Sequence, residues 1–221
     1  MVTRKKASPE PRPRNSEATQ ERILTSVGRL LARRGFLGFG VNAVAREARV
    51  DKVLIYRYFG GLPQLLESFA DRADFWPTTE ELVGAAPEAT SRWSAADWSI
   101  AALRGLLRGL RARPTTQEIL RWELAVSNDL TEKLAEIRER RGLELLLRAP
   151  LDPKRRHAED VPAVAALLSA GIIYLVLRSK TAPAWLGVSL DTEEGWARIE
   201  RAIETIVRRV LRAADAEGGE S

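Results

Sequence analysis

Apolar residues along most of this chain recur three or four positions apart, as on one face of a helix, and nowhere alternate as a half-buried strand requires. From Thr19, the residues Ile23, Val27, Leu30 and Leu31 form one stripe that Gly35 stops. In the short segment Val41 to Ala48, Val41, Val44, Ala45 and Ala48 share a face, and Gly40 is its expected N-cap. Val50 sits in a tight turn after Arg49, and a third helix is expected from about Asp51 to Phe59, ended by Gly60 and Gly61. Pro63 suits the first turn of a fourth helix, where its missing donor costs nothing. That helix is expected to reach about Trp76, with Leu65, Leu66 and Phe69 turned inward.

Pro77 to Ser94 has no clear period and reads as a polar linker. Ala95 to Arg113 carries Ile100, Leu103, Leu106, Leu107 and Leu110 at helical spacing, and Pro114 breaks it. Thr115 to Val126 resumes with Ile119, Leu120 and Trp122, and Leu130 to Leu147 is charged on one side and apolar on the other. Leu151 to Pro162 reads as a loop rich in proline and charge. Val161 to Lys180 is the most apolar helix, and Thr192 to Ala214 closes the chain with Trp196, Ile199, Ile203, Ile206, Val207 and Val210. No internal repeat is evident, and the fold class is all-α.

Charge then separates the two ends. Through Gly60 there are roughly 13 Lys and Arg against about 5 Asp and Glu, which leaves the rest slightly acidic within the overall +5. A basic N-terminal quarter on an acidic body suits contact with a polyanion, although a solvated basic tail gives the same count. Cysteine is absent, so neither disulfides nor thiolate metal sites are available, in keeping with a reducing cytoplasm. The apolar run from Val161 to Leu177 is broken by Ser169 and Gly171 and ends at Arg178, too interrupted to be read as a membrane span. No export signal is read at the N-terminus. One histidine, His157, lies in a polar loop and is read as a surface residue. With no nucleophile–base arrangement, glycine-rich phosphate loop or metal-spaced cluster, the pattern is not that of an enzyme.

Val41 to Phe59 carries the function. Two short helices joined by about three residues, the second basic and aromatic, have the geometry of a helix-turn-helix. Ile23-Leu24 through Gly35-Phe36, Val44-Ala45-Arg46-Glu47-Ala48, Val50-Asp51-Lys52 and Tyr56-Arg57-Tyr58-Phe59 together resemble the TetR family of regulators. The resemblance spans roughly 45 positions. It implies a helix-turn-helix DNA-binding domain at 16–61 and a helical ligand-binding and dimerisation domain at 62–214. A flexible basic arm over 1–15 and a flexible tail over 215–221 flank them.

Ile55 and Phe59 share a face with Leu62 and should pack inward, with Val50 capping that small core. The opposite surface then carries Lys52, Val53, Leu54, Tyr56 and Tyr58. The resemblance implies that Tyr56 and Tyr58 bond phosphates; Asn42, Arg46, Lys52 and Arg57 belong to the same DNA-facing set, Arg46 and Lys52 as backbone charges. Val53 and Leu54 stand where the family often has small or hydroxyl residues. They either meet thymine methyls in the groove or pack against the first helix. Arg49 stands where the family has a left-handed glycine, at a cost of about 1–2 kcal/mol. Leu62 replaces a common lysine. The arm from Arg4 to Arg14 either touches DNA or serves only as a solubilising tail.

For the body, the resemblance implies that the last two long helices form a four-helix bundle with those of a second copy. The expected interface is Leu167, Leu168, Gly171, Ile172, Leu175, Ile199, Ile203, Ile206 and Val210. A helix apolar nearly all round also needs cover on every side, which a second copy or a central position in one subunit would supply. A small-molecule effector, apolar or aromatic, is implied without identifying it. Its candidate lining is Trp93, Trp98, Leu103, Leu107, Trp122, Glu123, Val126 and Tyr174, although aromatics at this spacing also build plain core and Glu123 also suits a surface pair with an arginine. No metal or cofactor is implied. The expected function is a repressor released from a palindromic operator by an effector; a ligand-independent, nucleoid-like DNA binder is the alternative.

Overall fold

A computed structural model describes residues 13–72, 75–84, 90, 92–151 and 161–217, side chains at both extremes of that span excepted. Among these residues the chain is helical apart from one tiny ribbon. Helix α1 (Pro13–Arg34) is followed by α2 (Val41–Ala48), α3 (Lys52–Phe59), α4 (Leu62–Ala70) and α5 (Thr79–Val83). The body continues with α6 (Ala95–Arg111), α7 (Pro114–Ala125), α8 (Asp129–Arg148) and α9 (Val161–Arg178). Strands β1 (Ala184–Trp185) and β2 (Val188–Ser189) pair antiparallel before α10 (Glu193–Glu217).

The first four helices enclose their own core. Ile23, Val27 and Leu31 of α1, Val44 of α2, Ile55 of α3, and Leu65 and Leu66 of α4 are all fully buried. Helix α1 starts earlier than its apolar stripe indicates, because Pro13 in the first turn lacks only a donor that has no helical partner. Arg22 Nε donates to the Ala48 carbonyl at 3.1 Å, and Arg33 pairs with Glu47 at 2.8 Å, tying α2 along α1. Helix α4 stops at Ala70, short of the expected Trp76.

The stretch read as a structureless linker contains α5. Thr78 and Glu81 form a reciprocal capping box, and Leu82 and Val83 are buried. The helix lies so close on α6 that a Cβ at Gly105 would sit 1.9 Å from the Leu82 carbonyl oxygen. Pro114 ends one helix and also opens the next, as the first residue of α7. Helices α9 and α10 both pack on α6, and α10 is pinned there by Arg104–Glu204 at 2.8 Å and Arg208–Asp97 at 3.3 Å. The ribbon was not expected; two-residue strands are too short to show alternation. His157, most of the 151–162 loop, Arg4 to Arg12 of the arm and residues 218–221 of the tail lie outside the described residues.

Candidate nucleic-acid interface

The turn between α2 and α3 sets the interface. Gly40 is the N-cap of α2, and Arg49 at its other end is left-handed, at φ 54° and ψ 49°. Two backbone bonds lock the turn: Arg49 N–H to the Arg46 carbonyl at 3.2 Å and Val50 N–H to the Ala45 carbonyl at 3.0 Å. Arginine thus occupies a conformation that glycine adopts at less cost, as its position in the sequence implied. Asp51 caps α3, its carboxylate accepting from Val53 N–H at 2.9 Å. Composition alone did not single out this role, although an Asp directly before the helix is the signal for it.

Helical spacing puts Val53 and Arg57 opposite Ile55, with Tyr56 beside them. The structure agrees: Ile55 is fully buried, whereas Val53 is 61% and Tyr56 54% exposed, and Lys52 and Arg57 are exposed. Asn42, Arg46 and Arg49 are exposed on the adjoining surface, and together with Lys52 they line an open concavity at the turn. Four cations and one asparagine therefore surround a single helix face, with the acid Asp51 at its start. Leu54 and Tyr58 are only half-buried and stand at the flanks; Tyr58 packs against the core, so its ring is less available than that of Tyr56. Phe59, Leu62 and Val50 also lean on the core.

The residues expected to line an effector cavity are dispersed. Leu107 is fully buried in the general core, and Tyr174 is exposed on α9, edge-on to Trp185 at 5.2 Å. Trp122 lies over Gly35 at the end of α1, where an added Cβ would come 2.4 Å from its ring. Helical period tells which residues share a face but not what the face meets. Trp93, Trp98, Leu103 and Val126 are half-buried, Trp98 with its ring N–H buried and unpartnered. Glu123 is half-buried, with its side chain only 7% exposed, and its partner is Arg138 of α8, with one bond of 2.7 Å and a second closer contact. Arg121 pairs instead with Glu118. Burial raises the Glu123 carboxyl above the usual glutamate range, against the opposing pull of Arg138. The Arg138 guanidinium also lies over Trp76, 5.8 Å from its ring centre.

On the body's outer surface, Leu167 is 74% exposed, Gly171 and Ile206 are exposed, and Leu168, Leu175, Ile199 and Val210 are half-buried. Ile172 and Ile203 are instead buried inside the subunit, so they are core rather than interface residues. A helix apolar all round carries no phase by which the two sides could be told apart. Helix α9 is long and apolar enough to cross a membrane by length and composition, yet only 17% of it is buried.

Comparison with known proteins places these features. Residues 23–69 match the family described as bacterial regulatory proteins, tetR family. The HTH-type transcriptional repressor SCO4008 of Streptomyces coelicolor is 37% identical over 59 residues, covering 27% of this chain and 31% of that repressor. The fold extends further than the sequence match. A TetR family transcription regulator from Marinobacter aquaeolei VT8 superposes with a TM-score of 0.58 at 18% identity, over 90% of this chain and 98% of its own. The multidrug binding protein EbrR, solved with imidazole, superposes with a TM-score of 0.55 at 22% identity, over 91% and 96%. Residues 23–69 are therefore similar in sequence to the tetR family, and the chain as a whole is similar in fold to TetR family regulators.

Proposed function

We propose that this protein is a DNA-binding transcriptional repressor that grips a palindromic operator as a homodimer in the cytoplasm and is released by a small-molecule effector. The observation that carries this reading is the face of α3, where Lys52, Val53, Tyr56 and Arg57 stand exposed above a fully buried Ile55. A short basic helix held proud of its support is what enters a major groove. Arg46, Arg49 and Lys52 supply phosphate contacts, and the Tyr56 hydroxyl adds one. Val53, uncharged and outermost, meets a thymine methyl. Leu54, half-buried, contributes less.

The exposed apolar stripe of α9 supports dimerisation, since an apolar face of this kind marks a contact surface, and Ile206 of α10 is exposed as well. A second copy covers it more economically than lipid, because the opposite face of α9 already packs on α6 and α7. An effector is supported by the helical body that resembles EbrR in fold. A regulator, rather than an enzyme or a cofactor-dependent protein, is what these features favour.

Footprinting the purified protein on DNA flanking its own gene tests the reading. A two-fold symmetric protected site with half-sites about one or more helical turns apart is expected. Salt-sensitive binding to every duplex alike would instead favour the nucleoid-like alternative. Replacing thymine by uracil in the half-site should weaken binding; equal affinity would refute the role given to Val53.

A further inference from the structure

The ribbon between α9 and α10 has no part in the reading above, yet its tip is unusual. Leu186 and Gly187 both have positive φ, 48° and 75°, as a two-residue hairpin turn requires. Asn, Asp or Gly takes the first of these positions cheaply, whereas a leucine held left-handed costs about 1–2 kcal/mol. Leu186 is 91% exposed, so packing among the described residues does little to offset that strain. Trp185 beside it is also exposed, edge-on to Tyr174, with the Arg178 guanidinium 5.7 Å from its ring centre.

The support beneath the tip is firm. Leu190 is buried and its N–H bonds the Pro183 carbonyl at 2.7 Å, closing the base of the hairpin. Arg198 of α10 donates to the Gly187 carbonyl at 3.3 Å. A rigid mount therefore holds a strained apolar residue in solvent, and through Trp185 and Tyr174 it is continuous with the exposed α9 stripe that includes Leu167 and Gly171.

We infer that the hairpin is an arm that docks on a second copy of this chain, with Leu186 as its contact, extending the interface beyond α9 and α10. The inference rests on the dimer proposed above. Two-fold symmetry makes each copy both giver and receiver of one arm, so the contact counts twice. An apolar tip gains nothing from a polyanion or from water, which leaves an apolar protein surface as its partner.

Leu186→Asn tests it, because asparagine tolerates the left-handed backbone while removing the apolar reach. Dilution series read by analytical ultracentrifugation should show the wild type as a dimer and the variant with a dissociation constant raised about tenfold or more. Helical circular dichroism should stay unchanged. Leu186→Gly, which the turn also accommodates, should give the same loss. A wild type that is monomeric at every concentration overturns the dimer and the arm together. A wild-type dimer whose dissociation constant both variants share overturns the arm alone.

Discussion

Helices α3 and α9 both leave large apolar side chains in solvent, but they do so in opposite settings. On α3, Val53 and Tyr56 protrude between Lys52 and Arg57, and the helix rests on a core that one chain completes by itself. On α9, Leu167 and Tyr174 protrude from a helix that carries no charge before Arg178, and only 17% of it is buried. The first setting suits a partner that is itself charged, with methyl groups among its polar edges; the second suits only another apolar surface. Exposure of an apolar residue is thus informative through its neighbours. Under the proposed function, the cationic surround belongs to the DNA-reading head and the bare apolar stripe of α9 to the dimer seam.

The largest effect is expected outside both regions, between α7 and α8. Arg138→Met leaves Glu123 buried without its cation, and should lower stability at neutral pH by about 3–5 kcal/mol in denaturant unfolding. The double variant Glu123→Met with Arg138→Met should recover most of that. Because burial raises the Glu123 carboxyl, its contribution to stability is full below the ordinary glutamate value of 4.5 and is lost as pH rises through the higher folded value. Arg138→Met should steepen that decline, and a flat profile would contradict the assignment.

Within the head, Ile55→Ala opens a cavity beneath α3 and should cost about 2–5 kcal/mol, with weaker binding to every DNA sequence. An unaltered unfolding midpoint would mean that α3 is not supported as described. Leu167→Glu draws the contrast most sharply. It should change monomer stability by no more than about 0.5 kcal/mol while abolishing association at micromolar concentrations. The smallest effect belongs to the cap of α6, where the Ser94 hydroxyl holds the Asp97 carboxyl below the ordinary value of 3.8, assisted by Arg208. Asp97→Asn should lose about 1 kcal/mol or less, given the exposure of the pair, and only above the ordinary aspartate range. As pH falls through the lower folded value, wild type and variant should converge.

The head was legible in sequence because its determinants are local. Gly40, Arg49 and Gly60 punctuate short helices, and the phase of Ile55 fixes which side of α3 faces out. The body was legible as helices but not as contacts. Helix α5 hides in a polar stretch without a clear period, where its signal is Thr78 followed by Glu81. Trp122, Glu123 and Tyr174 share a candidate list by residue type, yet three different neighbours claim them: Gly35, Arg138 and Trp185. Each partner lies on another element, and no periodicity within one helix names it. Strand spacing could not reveal the ribbon either; the tripeptide Trp185-Leu186-Gly187 shows its strain only once φ is known.

The indole of Trp122 resting on Gly35 ties two distant codons together. At φ 60° and with no room for a methyl group, position 35 stays glycine for as long as a bulky ring occupies position 122. Shrinking residue 122 would lift the steric part of that restriction and leave the cost of a left-handed backbone. Among its relatives, tryptophan at 122 paired with any side chain at 35 should be missing.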